Sequence, residues 1–442
     1  MRIFQKIKQN HWLYVFMGYL IGMHLLFHFT NLFTYRFNPK WYFLPEYAYT
    51  ENFWENIWLL HNNPPLVNII HGLIIHSGLP VLIVYNLLYP ALHLISTYWI
   101  YKIIQKIKIP YPLLWLFLFM GNPLHVYWFH HFYYPALMFS FSAGILYLLF
   151  VYTWNISTKF MVLVFMLATM CMTRASYHPF WIVLILLPFL QHIPRKTWAM
   201  GLIPLLIPIG WYTKNYLQYG FWGSSSWLGQ NISGHIDPHR VYDKKDIANI
   251  PRFETTPTYQ AFIHENDPLI QKYKHIRFLN DTNTLHNVRT VLISRLYFQS
   301  TLKHLSIKHS VATIGYGVFS YFGSPLCDEM YNQNNQFFQW NNTWLIDWFD
   351  LPNIHVYAEN GNYSVIRLSW YLPFYAISLI YLAIKWKLHP PEIKFILLWL
   401  IVVTAIYCTI DPHESQRMRY ETEPLFYFIT LIAGKAIFTK NN

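Results

Sequence analysis

The chain has 442 residues, of which 54% are hydrophobic and only 12% are charged. An ordinary soluble domain carries roughly 25% charged residues, so this composition excludes a water-soluble globule. The net charge of +12 would by itself suit a nucleic-acid partner. However, the basic residues lie in short clusters between apolar runs, so we expect membrane lipids and no nucleic acid as partners.

Ten apolar segments predict membrane-spanning helices, because about 20 apolar residues cross a hydrocarbon core of roughly 30 Å. They lie at residues 11–33, 79–101, 111–122, 135–153, 160–173, 179–193, 197–213, 365–385, 393–410 and 424–438. The predicted fold class is an all-α polytopic membrane protein with about ten transmembrane helices and amphipathic helices on its outer face.

Three regions follow from this pattern. Residues 1–213 form an N-terminal membrane module of about seven spans, which includes an extracytoplasmic loop at 34–78. Residues 214–364 form an extracytoplasmic polar region with interfacial helices, and residues 365–442 form a C-terminal membrane module of about three spans.

The basic residues set the predicted orientation, because short loops rich in Lys and Arg stay in the cytoplasm. The basic clusters at 2–8, 102–108, 195–196, 385–394 and 435–440 fall on one side when ten spans alternate. The loop at 34–78, the short loops at 121–134 and 174–178 and the segment at 411–423 then lie outside. We expect an integral, multi-pass protein of a bacterial inner (cytoplasmic) membrane, with its active site extracytoplasmic.

The first outer loop contains every acidic residue of the first 236 positions, namely Glu46, Glu51 and Glu55. A carboxylate beside apolar residues at a membrane surface is a candidate general base, because partial desolvation raises its basicity. The alternative is that all three are solvated interfacial side chains.

Three stretches in order resemble the GT-C membrane glycosyltransferases, which include protein O-mannosyltransferases and lipid A aminoarabinose transferases. The first is Pro45-Glu46 followed by His61 and Asn63-Pro64-Pro65-Leu66. The second runs from Trp211 through Lys214-Asn215, Gly220-Phe221 and Ser224-Ser225-Ser226 to Gly229-Gln230-Asn231. The third is Glu414-Ser415-Gln416-Arg417-Met418-Arg419, continued by Tyr420-Glu421 and Glu423-Pro424. A glutamate stands at position 46, where the family usually has an aspartate.

The resemblance implies transfer of a sugar from a polyprenyl-phosphate carrier to a hydroxyl of a glycan, lipid or protein acceptor, with inversion. Glu46 would be the catalytic base. Cations would bind the donor phosphate, namely Lys214, Arg174, Arg417 and Arg419. His61, Asn215, Ser225 and Gln416 would line the substrate cavity.

The residues allow other interpretations of these cations. Lys214 lies at the end of a span and is equally suited to snorkelling. Arg174 is also an interfacial cation, and Arg417 and Arg419 have Glu414, Glu421 and Glu423 as alternative partners.

A histidine cluster in the predicted loop at 121–134, His125, His130 and His131, raises the question of a metal site. No carboxylate or cysteine accompanies it, so we expect interfacial or hydrogen-bonded histidines. The sequence identifies no cofactor and leaves a divalent metal open.

Two other functions remain open at this stage. A transporter or channel usually has ionisable groups near the bilayer midplane, but the spans before residue 213 contain no acid. A non-catalytic membrane assembly protein is the second alternative.

Overall fold

A computed structural model of the chain describes residues 2–29, 42–130, 134–232, 265–281, 284, 286–322, 354–357, 363–366, 371–410 and 419–439. Most of these residues are helical, so the all-α fold class is confirmed at that level. The prediction did not include one short antiparallel hairpin, which joins Ile354–Tyr357 to Tyr363–Ile366. Both strands are rich in β-branched and aromatic residues, which favour extended backbone.

The helices of the first half are α1 Arg2–Phe29, α2 Glu46–Thr50, α3 Phe53–Trp58, α4 Leu66–His76, α5 Val81–Lys106, α6 Pro112–Met120, α7 Pro123–His130, α8 Tyr134–Phe150, α9 Ile156–Cys171, α10 Pro179–Leu186, α11 Arg195–Gly201 and α12 Leu206–Tyr219. Short 3₁₀ turns at Leu187–Phe189 and Ile203–Leu205 extend α10 and join α11 to α12. Gly220 ends α12 with φ of +75°, a left-handed conformation that glycine adopts without strain.

The helices of the second half are α13 Leu228–Asn231, α14 Pro268–Tyr273, α15 Arg277–Asn280, α16 Arg289–His304, α17 Ile307–Tyr321, α18 Tyr371–Ile384, α19 Pro391–Ile410 and α20 Glu423–Thr439. The hairpin strands β1 Ile354–Tyr357 and β2 Tyr363–Ile366 lie between α17 and α18. A 3₁₀ turn at Trp386–Leu388 follows α18.

Eight of the ten predicted spans overlap a single helix or a helix and its 3₁₀ extension. The span at 197–213 instead covers α11, a 3₁₀ turn and the first part of α12, and the span at 365–385 begins in strand β2 before it reaches α18. Two of the helices, Val81–Lys106 and Pro391–Ile410, are long and apolar enough to cross a membrane, with 26 and 20 residues. Six shorter apolar helices or helix segments accompany them, at 11–26, 66–76, 134–150, 156–171, 179–189 and 373–384.

The predicted outer loop at 121–134 is not irregular for most of its length, because residues 123–130 form helix α7. Gly121 and Asn122 interrupt α6, and the Asn122 side chain accepts a hydrogen bond from Leu124 N at 3.1 Å. Residues 123–129 are all buried, so packing of apolar and aromatic side chains stabilises a helix that is too short to be recognised by its periodicity.

The two ends of the helices differ in character. At one end lies the segment 42–65, which we call the first loop, and its Tyr42 ring lies 5.4 Å from the ring of Tyr134. At the opposite end, Lys435 Nζ donates to Ile107 O at 2.7 Å, so the basic ends of α5 and α20 lie side by side. Two predicted basic clusters therefore share one end of the molecule.

Many outward-facing side chains of the helices are apolar. Exposed examples are Leu82, Ile83, Leu87, Leu206, Ile207, Leu217, Ile377, Ile380 and Ile384. A helix in water normally has a polar outer face, so this pattern is typical of helices surrounded by lipid.

Candidate active site at the first-loop end

The first loop is fixed at both of its ends to the segment between α9 and α10. Tyr42 Oη donates to Thr173 O at 2.9 Å, and Leu66 N donates to Met172 O at 2.9 Å. Asn68 of α4 also anchors the first loop, because its Oδ1 accepts a hydrogen bond from Leu44 N at 3.0 Å. The first loop is therefore a fixed structure that lies beside Arg174.

Glu46 begins the short helix α2 directly after Pro45, and its side chain is exposed. Within the described part of the chain, its carboxylate forms no ion pair. Glu51 and Glu55 are exposed as well. The structure places the predicted base where it is accessible to a substrate, and it does not by itself distinguish Glu46 from its two neighbours.

A cluster of buried polar groups, which we call the histidine clasp, joins the first loop to two distant segments. Its members are His61, Asn62, Ser226 and His286, and each is at most 5% exposed. His61 Nδ1 lies 3.0 Å from Ser226 Oγ, and its Nε2 donates to His286 O at 2.8 Å. His286 Nε2 donates to Phe43 O at 2.8 Å.

Burial lowers the pKa of both histidines, which lie outside the predicted spans. The pKa of His61 falls from 6.5 to about 3, and that of His286 falls from 6.5 to about 4. Desolvation of the charged imidazolium is the main cause in each case. Both rings are therefore neutral near pH 7, and neutral rings suit the bonds described above.

The predicted cavity residues Asn215 and Ser225 belong to the same junction. Ser225 Oγ donates to Asn62 O at 2.6 Å, and Asn215 Nδ2 donates to Gly223 O at 2.6 Å. His61 is thus brought close to Asn215 and Ser225, which lie more than 150 residues later in the sequence. Their hydrogen bonds within the protein hold the loops in place.

Lys214 is buried in this junction, where it binds the end of α3. Its Nζ donates to Trp58 O at 2.9 Å and to Leu60 O at 2.7 Å. Nζ also lies 3.7 Å from the ring centre of Trp211. These contacts hold the first loop, so the loop accounts for the burial of Lys214 without any bound phosphate.

Arg174 lies at the centre of a second polar group. Its Nε is 3.3 Å from Glu421 Oε1, and its guanidinium stacks 4.1 Å from the ring centre of Tyr134. Tyr407 Oη donates to the other oxygen of Glu421 at 2.9 Å. The Glu421 side chain is fully buried, whereas 14% of the Arg174 side chain remains exposed.

Arg419 is completely buried and forms an ion pair with Glu423. Tyr375 Oη also donates to Glu423, at 3.2 Å. Of the two roles that the sequence allowed for Arg419, the structure shows pairing with a neighbouring glutamate. Gln416 and Arg417 lie outside the described residues.

Sequence reasoning did not single out Tyr42, Tyr134 or Tyr407, although all three line this second polar group. The sequence does not distinguish these three tyrosines from the others, because Tyr is frequent at the ends of membrane helices and an anchoring role explains each one equally well. Only the fold shows which tyrosines surround Arg174.

The histidines at 125 and 130 are hydrogen-bonded, and His131 lies outside the described residues. His125 Nδ1 lies 3.1 Å from Tyr420 Oη, and His130 Nε2 lies 2.9 Å from His24 Nδ1. In the part of the chain that the structure describes, no group of three or more His, Cys, Asp or Glu has a metal-binding arrangement.

Comparison of the chain with protein-family models, with curated proteins and with solved structures found no match.

Proposed function

We propose that the protein is an integral membrane glycosyltransferase of GT-C type. In this proposal it moves a sugar from a polyprenyl-phosphate-linked donor to a hydroxyl of a glycan, lipid or protein acceptor at the extracytoplasmic face. One observation carries the proposal. The first loop, the segment 211–226 and the segment 419–423 carry the resemblance separately. The first loop binds the segment 211–226 directly, and Thr173 and Arg174 connect it to Glu421 of the segment 419–423.

The chemistry requires one base and at least one cation. Glu46 accepts the proton of the acceptor hydroxyl, and the hydroxyl oxygen forms a bond to the anomeric carbon as the carbon–oxygen bond to the carrier phosphate breaks. The phosphate leaves with the electron pair, and the configuration at the anomeric carbon is inverted. A cation stabilises the negative charge that develops on the phosphate.

Among the predicted donor cations, Arg174 is best suited to reach a substrate, because its side chain keeps 14% exposure. The contacts of Lys214 and Arg419 with the protein favour a supporting role for them in forming the site. Arg417 stays a candidate. We assign no metal or cofactor to the reaction.

The proposal includes a multi-pass arrangement in a bacterial inner membrane. Exposed apolar side chains on many of the helices support it, and so does the shared position of Lys435 and residues 102–108 at one end. In this orientation Glu46, Arg174 and the histidine clasp are extracytoplasmic, where polyprenyl-phosphate sugars are used.

Mass spectrometry of glycans and lipid-linked sugars tests the proposal, with cells that have the gene, lack it, or carry Glu46→Gln in its place. Loss of the gene should remove one sugar modification and cause its lipid-linked donor to accumulate, and Glu46→Gln should do the same. An unchanged profile in cells without the gene would count against a transferase.

A transporter is the second candidate, because one observation favours it. Helix α6 is broken from α7 at Gly121 and Asn122, and buried histidines lie nearby. His24 bridges His93 and His130, with nitrogen distances of 2.9 Å to each. Broken helices and buried ionisable groups are features of transport sites. Solute uptake into proteoliposomes without any sugar transfer would favour this function.

A further inference from the structure

Five arginines lie at the first-loop end in the described part of the chain, and four of them bind protein oxygen atoms. Arg174 and Arg419 pair with Glu421 and Glu423, Arg289 Nη2 lies 2.6 Å from Glu265 Oε2, and Arg295 Nη2 donates to Tyr219 O at 2.7 Å. The fifth, Arg277, is exposed, and within the described residues its guanidinium forms no hydrogen bond or ion pair. Arg277 is thus the guanidinium that remains available for a ligand.

Arg277 lies next to the helix that carries the proposed base. Its guanidinium carbon is 4.0 Å from the ring centre of Tyr47, the residue after Glu46. A guanidinium stacked on an aromatic face keeps the N–H groups at its edge free, and two of them fit two oxygens of a phosphate. The stack therefore orients the cation without using its donors.

The segment that carries Arg277 is held firmly against the first loop. Asn280 Nδ2 donates to Tyr273 O at 2.6 Å and to Ile276 O at 3.0 Å, which fixes the turn before Arg277. Phe278 and Leu279 are buried. His286, the member of the histidine clasp that follows this segment, donates to Phe43 O in the first loop. A cation held in place before its ligand arrives loses less side-chain entropy on binding.

We infer that Arg277 binds the phosphate group of the polyprenyl-phosphate donor, beside Glu46. This inference rests on the proposed function, because the function supplies the phosphate. Sequence reasoning did not find Arg277, since the residue lies in none of the three stretches that carry the resemblance. Its position becomes meaningful only when the fold brings residues 47 and 277 together.

Binding of radiolabelled decaprenyl phosphate to the full-length protein tests the inference, with the protein in nanodiscs of phosphatidylcholine. Arg277→Gln should weaken binding by about tenfold or more, because it removes charge-assisted hydrogen bonds to the phosphate. Arg277→Lys keeps the positive charge but cannot form the bidentate hydrogen bonds of a guanidinium, so its affinity for decaprenyl phosphate should be intermediate. Lys274→Gln is the matched control, because Lys274 is exposed on the same segment, and it should bind like the wild type.

Competition distinguishes the donor from a lipid headgroup. Unlabelled decaprenyl phosphate should displace the label from the wild type, whereas phosphatidylglycerol at the same concentration should not. Displacement by phosphatidylglycerol to the same degree would overturn the donor assignment. Wild-type affinity in Arg277→Gln, or an equal loss in Lys274→Gln, would overturn the role of Arg277.

Failure of this inference and failure of the proposed function give different experimental results. If the wild type binds the carrier through Arg277 but gene loss leaves every glycan unchanged, the phosphate site stands and the transferase proposal fails. If sugar transfer is found but Arg277→Gln binds normally, the transferase proposal stands and this inference fails.

Discussion

Single residues at the first-loop end divide into buried ions that hold the structure and exposed groups that can meet a substrate. Glu421 and Glu423 are buried and paired with Arg174 and Arg419. A carboxylate that is locked in a buried ion pair can neither reach an acceptor hydroxyl nor accept its proton without losing its partner. Glu46 is exposed at the start of α2 and has neither restriction.

We expect Glu46→Gln to reduce sugar transfer by about 10²- to 10⁴-fold, the usual contribution of a positioned base. Glutamine keeps the size and polarity of the side chain but cannot accept the proton, so folding and carrier binding should be unchanged. Initial rates of transfer and binding of decaprenyl phosphate measure the two effects. Glu51→Gln and Glu55→Gln are the controls, and an equal loss in all three variants would show that position 46 is not special.

The histidine clasp should make the junction sensitive to acid. His61 and His286 have pKa values of about 3 and about 4 in the folded protein, against 6.5 for a histidine in water. The unfolded or open form therefore binds more protons below pH 6.5, so acid favours it. The clasp should contribute its full stabilisation above this pH and lose it as the pH falls toward 4.

Hydrogen–deuterium exchange of residues 265–288 measures this effect. Exchange, corrected for its intrinsic pH dependence, should rise between about pH 7 and about pH 5 in the wild type. The increase should be smaller when His61 and His286 are both replaced by glutamine. His275→Gln serves as the control because His275 is exposed. No change with pH in the wild type would contradict the prediction.

At the scale of helices and strands, the apolar pattern predicted where the long helices lie but not the short elements between them. Each of the ten predicted spans overlaps a helix, although the span at 197–213 contains parts of two helices and the span at 365–385 begins in strand β2. Helix α7 was missed because its eight residues are stabilised by burial rather than by a readable pattern. The hairpin strands at 354–357 and 363–366 are likewise too short to be distinguished from loops by composition alone.

Close contact between α17 and α19 depends on Gly317. A Cβ atom at this position would lie 2.2 Å from Cys408 O, a backbone atom, so the helices would have to separate. We expect Gly317→Ala to destabilise the protein by about 1–3 kcal/mol, the usual range for overpacking. Thermal unfolding of the purified protein in nanodiscs measures the change.

Gly315→Ala is a matched control on the same helix, because nothing lies within 4 Å of its Cβ position. This variant should have the stability of the wild type or be more stable by up to about 1 kcal/mol, since alanine has a higher helix propensity than glycine. Equal effects of the two substitutions would show that helix propensity, and not the contact with α19, decides the outcome.

For the whole molecule, the candidate site shows both what a sequence can and what it cannot reveal. The stretches that contain His61, Lys214 and Arg419 were recognisable one by one. Their roles depend on contacts over long distances in the chain, such as that of Lys214 with Leu60 O. A sequence does not show which cations the fold uses internally, and for that reason Arg277 was overlooked.

The last prediction concerns how the molecule sits in the membrane. Lys106 and Lys196 are exposed in segments predicted to be cytoplasmic, whereas Glu51 and Lys274 are exposed in segments predicted to be outside. In a Cys327→Ser background, Glu51→Cys and Lys274→Cys should react with an impermeant maleimide in intact spheroplasts. Lys106→Cys and Lys196→Cys should react only after lysis.

The native Cys171 and Cys408 are buried, so they should contribute little background labelling. Labelling of a position from each group in intact spheroplasts would rule out the ten-span arrangement, because that arrangement puts the two groups on opposite sides of the membrane and the reagent reaches only the outer side.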